Sequence, residues 1–113
     1  TARLVDEVSR AIETGDINYP AFLAASRTHV ANLQHALDTG DDELALTAVR
    51  AARRLLQQLG TDAGVQIETP LLHALCNSAE RAGAAAKPSG AGGGDCGIVL
   101  APTSADVAAL LQE

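Results

Sequence analysis

Apolar residues recur with the period of a helix along most of this chain. Leu4, Val5, Val8, Ala11 and Ile12 share one face, and Asp6, Glu7, Arg10 and Glu13 fall outside it. That spacing predicts a helix over residues 2–14, closed by Gly15. Pro20 suits the first turn of a second helix that reaches about residue 39. Its stripe is Phe22, Ser26, His29 or Val30, Leu33 and Leu37, and Gly40 ends it.

A third helix is capped by Asp41 or Asp42, and Asp41, Asp42 and Glu43 complement the positive end of its dipole. Ala45, Ala48, Val49, Ala52, Leu55, Leu56 and Leu59 form a continuous apolar face, and Gly60 is the expected stop. Arg50, Arg53, Arg54, Gln57 and Gln58 read as the solvated face of the same helix. The short turn between helices two and three predicts an antiparallel helical hairpin, with small residues letting the backbones approach. Residues 64–68 read as a short strand or an extended connector. Thr69-Pro70 then starts a fourth helix, carrying Leu71, Leu72, Leu75, Ala79 and Ala82 and stopped by Gly83.

Beyond Gly83 the pattern changes. Residues 84–87 read as extended, and residues 96–101, with Ile98, Val99 and Leu100, as a buried strand. Pro102 breaks that strand, and Thr103 or Ser104 caps a last helix with Val107, Leu110 and Leu111. The predicted order is four helices, a strand, a glycine-rich loop, a strand and a helix. This is an α+β domain with helices packed on a small antiparallel sheet.

Composition narrows the class. In 113 residues, 47% are apolar and 19% charged, which suits one folded domain. The formal charge of −6 argues against a nucleic-acid or anionic-membrane surface, both of which need an excess of Lys and Arg. No apolar run approaches the ~18 residues of a membrane-crossing helix, and no signal peptide is recognisable. Cys76 and Cys96 read as buried free thiols of a reducing compartment, hence a cytoplasmic location. His29, His35 and His73 lack metal-ligand spacing with each other or with the cysteines.

Between the two predicted strands lies Lys87-Pro88-Ser89-Gly90-Ala91-Gly92-Gly93-Gly94-Asp95-Cys96-Gly97. Inward-turned N–H groups of such a backbone make an anion nest. Flanking strands within ~15 residues favour a hairpin whose tip is functional over a bare interdomain linker. The stretch is no dinucleotide fingerprint, because Asp95 stands where the third glycine belongs and a strand follows instead of a helix. No Gly-Lys-Ser/Thr makes it a Walker loop, and the protein-kinase motifs are absent. Lys87, at the mouth of the loop, reads either as a point charge for a phosphate or as a solvated strand-end lysine. Asp95 reads either as a ligand contact or as part of the loop's own structure.

This string closely resembles the third motif of the GHMP kinases, and its Asp-Cys-Gly ending resembles the phosphomevalonate kinases among them. Gly64-Val65-Gln66-Ile67-Glu68-Thr69-Pro70-x-Leu72 and the opening Thr1-x-x-Leu4-Val5 agree, so the resemblance spans nearly the whole chain. It implies a GHMP-kinase C-terminal domain over residues 1–113, of the ferredoxin-like-related kind, belonging to a larger two-domain kinase. The resemblance implies transfer of the γ-phosphoryl group of ATP, with Mg²⁺, to 5-phosphomevalonate, giving 5-diphosphomevalonate in isoprenoid biosynthesis. Ser89, Gly90, Ala91, Gly92, Gly93, Gly94, Asp95 and Lys87 match the phosphate- and substrate-binding loop. By position, Ser26 either faces the substrate pocket or bonds back to its own helix.

The family's main phosphate loop, Pro-x-x-x-Gly-x-x-x-Ser-Ser, does not occur in these residues. The nucleotide pocket, Mg²⁺ ligands and general base are therefore expected from the missing N-terminal domain, and this chain alone is expected to be inactive. No catalytic or metal-binding residue is assigned within it. A final strand of the family's domain is expected beyond Glu113, which leaves a sheet edge for a second chain and makes a homodimer one expected partner. The competing readings are a non-catalytic anion-binding or dimerisation module on the same fold, and another GHMP small-molecule kinase such as a mevalonate kinase.

Overall fold

A computed structural model describes residues 2–88 and 97–101. Helices α1 (Ala2–Thr14), α2 (Tyr19–Thr39), α3 (Asp42–Ala63) and α4 (Pro70–Arg81) precede strands β1 (Ala85–Pro88) and β2 (Gly97–Leu100). Local chemistry sets most boundaries. The side chains of Asn18, Asp41 and Thr69 each accept the backbone N–H three residues on, capping α2, α3 and α4. Pro20 and Pro70 occupy first turns, where no helical N–H is needed.

The expected stop of the third helix is displaced. Gly60 lies inside α3, and the left-handed cap is Gly64 at φ 70°. Gly60 serves close approach instead: a Cβ there would sit 2.9 Å from the Val65 carbonyl oxygen. The chain thus folds back tightly over its own last turn. Residues 64–68 form no strand and connect α3 to α4 as bends and irregular backbone.

The two strands pair antiparallel, Ala85 opposite Leu100 and Pro88 opposite Gly97. β1 is covered on both faces, because successive residues of a strand point opposite ways. Ala85 packs with Leu46 and Val49 of α3, and Leu33 of α2 and Leu100 of β2 close that cluster. Ala84 and Ala86 pack with Cys76 and Ala79 of α4. Small side chains let helices approach the strand from both sides. β2 departs from the buried strand expected, since Ile98 is 50% and Val99 43% exposed. Only β1 among the described strands lies between two helical layers. The predicted last helix and Cys96 lie outside the described residues, whereas Cys76 is a buried free thiol.

The arginines of α3 do not share one solvated face. Arg54 keeps an exposed side chain, but Arg53 is 1% exposed and is not part of a solvated face. Its guanidinium holds Glu68 through two bonds, Nη2–Oε1 at 2.6 Å and Nε–Oε2 at 2.9 Å. It also donates to Glu80 at 2.7 Å and to Asn77 at 2.9 Å. Arg50 reaches the carbonyl of Ala84 at 2.8 Å, at the start of β1. α3 buries a second stripe (Leu46, Val49, Arg50 and Arg53), because α2 packs on one side of it and β1 with α4 on the other. A buried guanidinium survives there because its donors meet carboxylates and an amide oxygen.

Candidate functional site

The alternation along β1 that directs Ala85 toward α3 directs Lys87 the same way. Pro88, like Ala86, takes the opposite face and is fully buried. Opposite Lys87 in the register stands Ile98 of β2. Lys87 and Ile98 form the strand end of a cavity of about 340 Å³. α2 contributes Phe22, Ser26, His29, Val30 and Leu33, a stripe at i, i+4, i+7, i+8 and i+11 that presents one helical face. α3 supplies the apolar floor with Ala48, Val49, Ala52 and Leu55.

The walls are mostly hydrocarbon, and the polar groups are few. Lys87 is half-buried and donates from Nζ to the carbonyl of Pro88 at 2.8 Å. Among the described residues no carboxylate lies within ion-pair distance of it. Burial therefore pushes the ammonium's pKa below its ordinary value. Ser26 departs from the expected bond to its own helix. Thr28 and Thr39, on the same helix, do bond back, at 3.0 Å to Ala24 and 2.8 Å to His35. Neither the Ser26 hydroxyl nor the His29 ring has a hydrogen-bond partner among the described residues. Leu37, expected in the stripe, is 62% exposed, and Ala36 takes the buried position.

Pro88 and Gly97 are paired neighbours, and residues 89–96 connect them in sequence. Ser89, Gly90, Ala91, Gly92, Gly93, Gly94 and Asp95 lie outside the described residues, and Lys87 is the predicted site residue that the structure places. The stem at Gly97 is tight: an added Cβ would lie 3.1 Å from Leu72 Cδ2 and 3.3 Å from the Lys87 carbonyl oxygen. Among the described residues no cluster of three or more His, Cys, Asp or Glu is arranged to hold a metal ion. No helix among them is long and apolar enough to cross a membrane.

The other charged cluster, around Arg53, is saturated. Burial pushes the Glu68 carboxyl up, and bonds from Arg53 and His73 more than reverse this, leaving its pKa below the ordinary carboxylate value. Glu80 follows the same balance, with Arg54 and Arg53 as donors. Glu68 holds Arg53 above its ordinary value despite burial. Such a cluster joins α3 to α4 and the 64–68 segment and leaves little capacity for a ligand.

Four helices packed on a short antiparallel pair of strands, with helices on both faces of β1, define a small α+β domain. The sequence profile described as GHMP kinases C terminal matches residues 33–113, and the chain belongs to this family. The phosphomevalonate kinase of Streptomyces sp. (strain CL190) is 43% identical over 99% of the chain, which spans 30% of that protein's length. Two solved structures extend the comparison. A Lin0012 protein from Listeria innocua superposes with a TM-score of 0.91 at 40% identity, over 98% of this chain and 31% of that one. The phosphomevalonate kinase of Streptococcus pneumoniae, solved in complex with phosphomevalonate and AMPPNP, gives 0.72 at 40% identity, over 87% and 28%.

Proposed function

We propose that this chain is the C-terminal domain of a phosphomevalonate kinase, which moves the γ-phosphoryl group of ATP to 5-phosphomevalonate and releases ADP and 5-diphosphomevalonate. The observation that carries the reading is 43% identity to such an enzyme over 99% of this chain. Its counterpart of known structure, at 40% identity, was captured with phosphomevalonate and a nucleotide analogue.

In this reading residues 1–113 work with an N-terminal domain that holds ATP and Mg²⁺ and carries the Ser-Ser phosphate loop. Phosphoryl transfer is mostly positioning and charge stabilisation. The glycine loop suits that task through the backbone N–H groups of Ser89, Gly90, Ala91, Gly92, Gly93 and Gly94, with Asp95 bracing the loop or touching the ligand. Lys87 adds a cation at the loop's stem. Burial disfavours its charged form, and a neighbouring phosphate would offset that cost. The enzyme so assembled works in the cytoplasm, in isoprenoid biosynthesis.

The test is ADP release in a coupled assay of the full-length enzyme. Turnover is expected only with phosphomevalonate and ATP together. Gly92→Val or Gly93→Val is expected to abolish it while the helical signal persists. Activity retained in both variants, or a coding sequence without the Ser-Ser loop upstream of Thr1, would overturn the proposal.

A further inference from the structure

Three polar groups line one cavity, and among the described residues no acceptor or donor occupies them fully. Ser26 and His29 sit three residues apart on the inner face of α2, and Lys87 faces them from β1. The ammonium of Lys87 has three N–H groups, and the Pro88 carbonyl uses one of them. The other described residues around the space are apolar, among them Phe22, Val49, Ala52, Leu55 and Ile98. Partly buried polar groups normally find hydrogen-bond partners, and a cluster left open toward one space signals a ligand's position. The volume of about 340 Å³ lies at the small end of ligand pockets, roughly 300–1,000 Å³, which suits a small metabolite.

We infer that this cavity reads the non-phosphorylated part of the substrate, and that Ser26 and His29 are specificity-determining residues on the C-terminal domain. The inference rests on the phosphomevalonate kinase reading and deepens it. The chemistry required is that of a short, branched hydroxy acid carrying a phosphate. Its hydrocarbon skeleton lies against Phe22, Val49 and Leu55, removing apolar surface from water. The Ser26 hydroxyl and the His29 ring exchange hydrogen bonds with its hydroxyl and carboxylate. Lys87, beside the loop stem, supplies a positive charge for the anionic groups. A site built to bond a hydroxyl rejects the analogue lacking one, because its own polar groups are then left unpaired. Ser26 and His29 do no chemistry in this account; they hold and select.

The experiment uses the full-length enzyme with Ser26→Ala and His29→Leu, and with Thr28→Ala as a control whose hydroxyl bonds back to Ala24. Loss of one such hydrogen bond is expected to raise the KM for phosphomevalonate about tenfold. The kcat and the KM for ATP are expected to stay near wild type, and Thr28→Ala to change nothing. Competitive inhibition by mevalonate, which lacks the phosphate, should weaken in parallel, while inhibition by inorganic phosphate is unaltered. A general structural defect would weaken both inhibitors, and that result overturns the assignment. So does an unchanged KM in both variants. A wild-type enzyme that phosphorylates another hydroxylated substrate, and not phosphomevalonate, overturns the functional reading alone. The same two variants are then judged by the KM for that substrate.

Discussion

Replacing Arg53 with Met keeps a long, flexible side chain in the same space and removes the charge. Arg53 is 1% exposed, and its partner Glu68 has a side chain 7% exposed, so the freed carboxylate cannot simply turn to water. The change removes both bonds to Glu68, at 2.6 and 2.9 Å, the bond to Glu80 at 2.7 Å and that to Asn77 at 2.9 Å. Two of the losses are partly compensated. Glu80 keeps Arg54 at 2.7 Å, and Glu68 keeps His73 at 2.8 Å. Breaking a buried pair from one side typically costs about 3–5 kcal/mol, against about 0–1 for an exposed pair. The first range applies here, because α3 and α4 exclude water from the guanidinium. Native-state hydrogen exchange of α3 and α4 amides in the full-length protein measures the loss locally. At 1.4 kcal/mol per tenfold, exchange should speed up by roughly two to three and a half orders of magnitude. Adding Glu68→Gln should recover part of the loss, since no unpaired charge then remains. Acceleration of less than about fivefold, the level of a surface ion pair, would refute the claim that Arg53 joins the two helices.

The same cluster predicts acid sensitivity. The carboxyls of Glu68 and Glu80 have folded-state pKa values held below the ordinary value, so their stabilisation is complete above the unfolded glutamate pKa of about 4.3. It is lost as pH falls through the lower folded values. Exchange at α3 and α4, corrected for intrinsic rate, should therefore accelerate below about pH 4 in the wild type and less steeply in Arg53→Met. Gly60→Ala is a second packing test. Alanine is the better helix former by about 1 kcal/mol, but its Cβ would lie 2.9 Å from the Val65 carbonyl oxygen, a backbone atom. The expected net effect is a loss of about 1–3 kcal/mol, seen as faster exchange in residues 60–68. A net gain would show that the connector yields freely.

The chain's local chemistry determines much by itself. Helical periodicity, the caps at Asp41 and Thr69 and the prolines in two first turns define four helices, the end of the third apart, because each signal acts within one turn. Glycines between short apolar runs likewise announce a loop on paired strands, and the motif across residues 87–97 carried the family. Lys87 was legible as a candidate site residue for the same reason. Other features were invisible because they depend on partners distant in sequence. Glu68 and Glu80 are 15 and 27 residues from Arg53, and nothing in the helical period distinguishes a solvated arginine from one facing two carboxylates. Gly60 reads as a stop until Val65 folds back over it. The unoccupied polar face of Ser26 and His29 emerges only when β1 brings Lys87 across from α2. The alternation of β1 decides that placement, by sending Lys87 to the side of Ala85 and Pro88 to the other. Sequence periodicity tells which residues share a face. Tertiary packing decides what that face meets, and so whether its polar groups are satisfied, solvated or left open for a ligand.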